Sequence, residues 1–323
     1  MGDRSRRIRR PILGIVLAIL ALIALGGLAL GVRGLPASLA TPRPTASFAS
    51  LAPVGSLGET VTLAGAGDIA TCQSDADEAT AKLLDGIEGT VFAAGDNAYE
   101  NGSISDYERC YAPTWGRFKD RTLPAIGNHE RQTAGAAGYF AYFGPRAGGN
   151  NGWYAVDVGS WRVIVLESDC RDVGGCDRLS RQGRWLADEL GGHPARCTLA
   201  IWHHPRFSSG EHGDDPQVGG FWSILEDAGA ELVINGHDHD YERFAPQDSS
   251  GHADADHGIR EFVVGTGGKE LRGFQRRIDA NSEVHDSRSH GVLRLTLRPD
   301  GYDWRFVPIT TETFTDSGSG VCH

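Results

Sequence analysis

A layered α/β sandwich with mixed sheets is the fold class this sequence predicts, on three observations. Short apolar runs alternate with helical patterns from about residue 60 to residue 234. Strand-like runs follow after that with few helices between them. Five of the apolar runs end in Gly or His and hand over to polar residues, as buried strands do when they deliver side chains to a sheet edge.

The first 60 or so residues differ from the rest. Arg4, Arg6, Arg7, Arg9 and Arg10 against Asp3 make 1–10 a basic arm, expected in the cytoplasm. Residues 11–32 are uncharged and mostly apolar, about the length needed to cross a bilayer, and read as a transmembrane anchor. The alternatives are a signal segment cleaved after the small residues Ser38 and Ala40, or a twin-arginine export signal at Ser5, Arg6 and Arg7. Every version puts the globular part outside the cytoplasm, either tethered to the membrane or secreted. Residues 33–59, rich in Ala, Ser, Thr, Pro and Gly, read as a flexible linker.

The formal net charge is −11, and the basic arm means that the remainder is more acidic still. A body of that charge excludes general nucleic-acid binding, and an anionic substrate would need a local positive site. Six cysteines (Cys72, Cys110, Cys170, Cys176, Cys197 and Cys322) fit an oxidising compartment, and none forms a CxxC pair of metal-ligand spacing. Local closure favours Cys170 with Cys176; the other pairings are open, as is the alternative of buried thiols. The oligomeric state is equally open.

In chain order, the pattern predicts a strand at 60–66, a helix at 75–84, a strand at 90–94 and a mixed region to 119. A strand at 122–126, a helix at 136–143, a Gly/Asn-rich turn at 146–152 and strands at 153–158 and 161–167 come next. Then come a helix at 178–190, a strand at 198–202, a helix at 218–228 and a strand at 231–234. Strands at 259–264, 292–297 and 302–307 precede a tail over 311–323 that a disulfide could tether.

The chemistry lies at five strand ends: Gly67 and Asp68; Gly95, Asp96, Asn97, Ala98 and Tyr99; Gly127, Asn128, His129 and Glu130; His203 and His204; and Gly236, His237, Asp238 and His239. Each alone has a bland reading, as a helix cap, a turn or an ordinary histidine. Together they supply carboxylate, amide and imidazole groups enough for two cations sharing one carboxylate.

These blocks resemble the calcineurin-like metallophosphoesterases, and among them the purple acid phosphatases, over about 61–307. The resemblance implies an α/β/β/α sandwich with two mixed β-sheets and makes 60–310 the catalytic domain. The family's first block usually carries a metal-binding His where this chain has Ala70. Tyr99, three residues after Asp96, stands where the purple acid phosphatase branch places a metal-binding tyrosinate, a hard anionic donor suited to Fe(III). The resemblance implies that Asp68, Asp96, Tyr99 and His239 hold this first metal. Asp96, Asn128, His203 and His237 hold a second, which is Zn, Mn or Fe(II), with Asp96 bridging.

The same resemblance implies a phosphomonoesterase that attacks a small phosphate ester with a metal-activated water or hydroxide. His129 is the expected acid for the leaving group, with His204 and His212 as further candidates at the substrate mouth, and Arg131 and Arg206 as candidate phosphate clamps. Asp240, Tyr241, Glu242 and Arg243 also look like that branch, where the acidic and basic residues are expected to orient the ligating histidines; a surface ion pair is the alternative. The plant relatives carry an additional β-sandwich domain, where this chain has only the linker. A phosphodiesterase or nucleotide hydrolase on the same site is the enzymatic alternative. A non-catalytic cell-surface binding protein is the alternative of another class, and it predicts missing ligands.

Overall fold

The computed structural model describes residue 56 and residues 58–323. The expected basic arm, membrane or signal segment and most of the linker lie outside the described residues. Among the described residues, no helix is long and apolar enough to cross a membrane.

Two mixed sheets form the body. The first has six strands in the order β13-β12-β11-β1-β2-β3. These are β1 (Val61–Ala66), β2 (Thr90–Ala94), β3 (Thr122–Ala125), β11 (Gly291–Arg298), β12 (Gly301–Pro308) and β13 (Ser317–Val321). β1, β2 and β3 run parallel, and β11 joins β1 antiparallel. The second has seven strands in the order β10-β8-β9-β7-β6-β5-β4. These are β4 (Tyr154–Val158), β5 (Trp161–Val165), β6 (Cys197–Ile201), β7 (Leu232–Asn235), β8 (Tyr241–Phe244), β9 (Arg260–Val264) and β10 (Ser282–Asp286). β5, β6, β7 and β9 are parallel, with antiparallel β4 at one edge and β8 and β10 at the other.

Strand alternation explains how the layers stack. In β5, Val163 and Val165 join Leu63, Phe92 and Leu295 in the core between the sheets, whereas Ile164 faces the other way. There it meets Trp185 and Leu186 of the helix Arg181–Gly192 and Phe221 and Trp222 of the helix Gly219–Asp227. β6 and β7 repeat the pattern, with Ile201 and Ile234 inward and Ala200 and Val233 toward the helices. The helix Ala76–Asp85 packs on the first sheet against β11. Burying each large aliphatic side chain is worth about 1.5–3 kcal/mol, so this two-faced burial fixes the strand register.

Register then sets out the site. Ala66 opposes Ala93, and the chain continues with Asp68 N–H donating to Gly95 O at 3.1 Å and Ile69 N–H to Asp96 O at 2.9 Å. Ile201 opposes Ile234, and Gly236 N–H donates to His203 O at 3.1 Å. The two sheets touch where Gly67 N–H donates to Val264 O at 2.8 Å.

Three strands escaped the periodic pattern. β8 is short and carries Glu242 and Arg243, β10 is a polar edge strand, and β13 is built of Ser and Gly. The expected tail is therefore partly sheet: β13 pairs with β12, and Cys322 is bonded to Cys197. The mixed region before residue 122 is a chain of short helical turns, Ile104–Asp106, Tyr107–Tyr111 and Trp115–Arg121. All six cysteines are paired, Cys170 with Cys176 as expected, together with Cys72–Cys110.

Candidate metal centre

The ends of β1, β2, β3, β6 and β7 meet at one edge. The turns there are sharp enough to need special backbone. Asp68, Asp96 and His237 adopt positive φ of 58°, 48° and 72°, conformations that cost energy for residues other than glycine and recur at functional sites. Gly95 has φ +84°, and a Cβ there would lie 2.5 Å from His203 Nδ1. A side chain at Gly95 would therefore displace an imidazole of the cluster.

Asp68 and Asp96 are buried with relative exposures of 0% and 2%, and their ion-pair partners are histidines rather than lysine or arginine. Tyr99 OH donates to Asp68 Oδ1 at 2.9 Å, and lies 3.1 Å from Asp96 Oδ2 and 3.3 Å from His239 Nε2. His239 Nε2 is 3.3 Å from Asp68 Oδ1. On the other side of Asp96, His203 Nε2 lies 3.4 Å from Oδ2 and 3.1 Å from Asn128 Oδ1. His237 joins through its backbone N–H, which donates to Asp68 Oδ2 at 2.8 Å, and its ring centroid is 5.0 Å from that of His203.

The histidines are oriented by backbone. His203 Nδ1 donates to Ala94 O at 2.9 Å and His239 Nδ1 to Glu270 O at 2.7 Å, so each presents Nε2 to the cluster. The expectation that the 240–243 segment performs this task is corrected. Arg243 instead pairs with Asp316 and Glu283, Tyr241 OH donates to Asp316 at 2.8 Å, and Glu242 accepts from Ser209 N–H. The alternation of β8 turns Tyr241 and Arg243 toward Asp316 of the C-terminal segment and Glu242 to the opposite face, toward Ser209. Asp240 is buried with neither carboxylate oxygen bonded to the protein.

The electrostatics favour cations. Burial opposes ionisation of Asp96, but His203 and His129 hold its carboxyl well below the usual range. Burial also opposes a charged His203, yet Asp96 and Asp68 raise it to about 10. Burial, then Asp68 and Asp96, push the Tyr99 phenol well above its ordinary value. Burial and its neighbours His204 and His203 push His237 far down, leaving a neutral imidazole. A pair of buried carboxylates, a phenol, an amide oxygen and three imidazoles, with ligand atoms of Asp68, Asp96 and His203 within 4.8 Å of one another, is a donor set that fits hard or borderline cations.

The other expected site residues are distributed around this cluster. His129 donates its backbone N–H to Asp96 Oδ1 at 2.9 Å, and its ring sits 4.4 Å from that of Tyr99. The His204 ring is 4.3 Å from His237, with Nδ1 bonded to Ser168 Oγ; His212 stacks on His237, also at 4.3 Å. Arg131 is paired with the buried Glu167 at 2.7 Å, which occupies one face of its guanidinium. Arg206 reaches the Ser249 carbonyl and lies over the Phe207 ring at 4.4 Å, away from the clustered oxygens.

Residue patterning missed several supporting groups. Glu130 is fully buried and accepts from the N–H groups of Asn97, Ala98 and Gly127, tying the second and third blocks together. Asp238 accepts from His212 N–H at 2.7 Å and from Ser208, holding the histidine loop. Both lie inside the polar segments at the strand ends, and their signal was a carboxylate in an otherwise buried motif. Lys269 stands 4.5 Å from the Tyr99 ring centroid and 2.7 Å from Glu100, and Arg272 donates to His212 Nε2 at 2.8 Å. These two come from the loop after β9, which carries no pattern of its own.

The calcineurin-like phosphoesterase family profile matches residues 62–241, more than half of the chain, and the chain belongs to that family. Its first curated relatives are uncharacterised proteins of Mycobacterium tuberculosis, 33% identical over 148 residues, covering 38% of this chain. The chain spans 28% of the length of those relatives. A nucleotide pyrophosphatase/phosphodiesterase of Hordeum vulgare is 25% identical over 274 residues, 72% of each chain. Among solved structures, a purple acid phosphatase from yellow lupin (Lupinus luteus) seeds shares the fold with a TM-score of 0.64 at 18% identity, over 83% of this chain and 54% of that one.

Proposed function

We propose that this chain is a two-metal phosphoric ester hydrolase whose preferred substrates are small phosphomonoesters. The observation that carries the reading is the convergence on Tyr99 OH of Asp68 Oδ1, Asp96 Oδ2 and His239 Nε2, at 2.9, 3.1 and 3.3 Å, buried and without a lysine or arginine among them.

Asp68, Asp96, Tyr99 and His239 would hold Fe(III), and Asp96, Asn128, His203 and His237 would hold Zn, Mn or Fe(II), Asp96 being shared. Bound cations supply an activated water and offset the charge that develops on a transferring phosphoryl group. The chain's own groups do the rest. His129, partly exposed at the mouth and anchored by its backbone to Asp96, protonates the leaving alkoxide. His212, carried by Asp238 and Arg272, contacts the ester from the other side, with His204 behind it. Arg131 and Arg206 act at most from outside this contact shell, since Glu167 and Ser249 engage them.

The test is hydrolysis of 4-nitrophenyl phosphate and bis(4-nitrophenyl) phosphate by protein whose metals have been counted. Preference for the monoester with two metals per chain supports the proposal; a preference for the diester supports a phosphodiesterase or nucleotide hydrolase, the reading favoured by the barley relative. Absence of bound metal together with absence of hydrolysis of either ester would return the chain to the scaffold reading. An extracytoplasmic, membrane-tethered location is part of the proposal. The three disulfides support the compartment, and membrane fractionation of cells making the full chain tests the tether.

A further inference from the structure

A cavity of about 230 Å³ adjoins the centre on the His204 side. His204 forms the wall nearest the cluster, with its ring 4.3 Å from His237 and 5.1 Å from His203. Ser168 fixes the wall: its Oγ accepts from His204 N–H at 3.0 Å and is 2.9 Å from Nδ1. The rest of the lining is polar, from Asp169, Arg171, Asp172, Asp215 and Gln217, with the Cys170 end of a disulfide beneath.

We infer that this cavity receives the leaving group of the substrate, and that it selects a small polyhydroxylated alcohol such as a sugar or glycerol. The inference rests on the phosphoester-hydrolase reading and specifies its substrate class. Its volume is below the roughly 300–1,000 Å³ of sites for drug-sized ligands, which suits a single sugar ring better than a nucleoside. Among the described residues no Phe, Tyr or Trp lines it, and the one aromatic ring in the wall, the His204 imidazole, already packs against His237 and His203, so a nucleobase finds no broad stacking face. Three carboxylates against one guanidinium repel an anionic tail, and hydroxyl groups are the donors that carboxylates and an amide satisfy without burying a second charge.

The experiment compares kcat/KM for glucose 6-phosphate, glycerol 3-phosphate, AMP, phosphocholine and 4-nitrophenyl phosphate in the metal-loaded protein, for wild type and for Asp172→Lys and Gln217→Ala. Both residues are exposed, and melting temperatures establish that the variants fold. The expected result is that the polyol esters lead AMP and phosphocholine, and that each variant lowers the ratio of glucose 6-phosphate to 4-nitrophenyl phosphate by about tenfold, the loss of one good hydrogen bond. Asp172→Lys should also raise AMP relative to phosphocholine, a change of sign that a merely structural role does not produce. A ratio unchanged in both variants, or a wild-type preference for AMP or phosphocholine, overturns the inference while leaving the hydrolase reading intact. Absence of hydrolysis of every ester, 4-nitrophenyl phosphate included, removes both.

Discussion

Tyr99 OH donates to Asp68 Oδ1 at 2.9 Å, joining the loop after β2 to the end of β1 in a buried setting. Ala70, the residue whose place a family histidine usually takes, is also fully buried and forms a bridge to Ala98, the residue before Tyr99. The phenol thus enters the donor cluster from the strand neighbouring the vacated position. Without a cation, burial and the two carboxylates keep its proton on; a trivalent metal held there would reverse that balance.

Tyr99→Phe should remove a visible absorption band arising from tyrosinate-to-Fe(III) charge transfer. It should also weaken iron binding by more than the roughly 10–100-fold lost when a residue that merely orients a ligand is removed. Absorption spectra with elemental analysis check this. A colourless, iron-free and fully active wild type would refute the Fe(III) assignment, though not the two-metal site.

His129→Ala should lower kcat by roughly 10²–10⁴ on an ester with a poor leaving group, with both metals retained. The side chain is partly exposed, and the bond to Asp96 comes from its backbone, which alanine keeps. Metal content and kcat on alkyl phosphates are the readouts; undiminished turnover on such esters would exclude an acid role.

Removal of metal should destabilise the fold, because Asp68 and Asp96 are left buried among imidazoles. A ligand at a thousand times its Kd stabilises by about 4 kcal/mol, and chelation should lower the melting temperature correspondingly. His203→Ala should mimic part of that loss and respond less to chelator. Equal melting temperatures with and without metal would mean that the donors hold none.

Glu231 offers a pH test distant from the metals. Burial raises its carboxyl from 4.5 to about 7, so the fold favours the neutral form. That contribution is complete below about pH 4.5 and is lost as pH rises through about 7, by up to about 3 kcal/mol. Glu231→Gln, which keeps an acceptor for Thr198 N–H, should flatten the fall in melting temperature between pH 5 and pH 8. A parallel pH profile in the variant would rule out the carboxyl as its source.

The Cys197–Cys322 bond closes a separation of 125 residues and ties β13 to the second sheet. Replacing both cysteines with serine should cost about 3–5 kcal/mol by the chain-entropy estimate. Denaturant unfolding of the double variant measures it, and a cost under about 1 kcal/mol would indicate that β12 pairing alone holds the end.

Amino-acid order determined much on its own. Apolar runs of strand length, closed by Gly and followed by Asp, Asn or His, announced the parallel strands and the groups at their ends, because a buried strand needs a continuous apolar run and a ligand needs a turn. Tyr99, three residues beyond Asp96, was legible only through the resemblance to the purple acid phosphatase branch. Tertiary structure alone decided the rest. β8, β10 and β13 form because neighbouring strands offer open edges, which no local period records. Ala94 O and Glu270 O orient His203 and His239, and backbone carbonyls have no signature in residue type. Glu167 and Ser249 occupy Arg131 and Arg206, while Lys269 and Arg272 arrive from an unpatterned loop. Such long-range pairings depend on how two sheets are folded against each other, and side-chain identity at one position does not encode the partner at another.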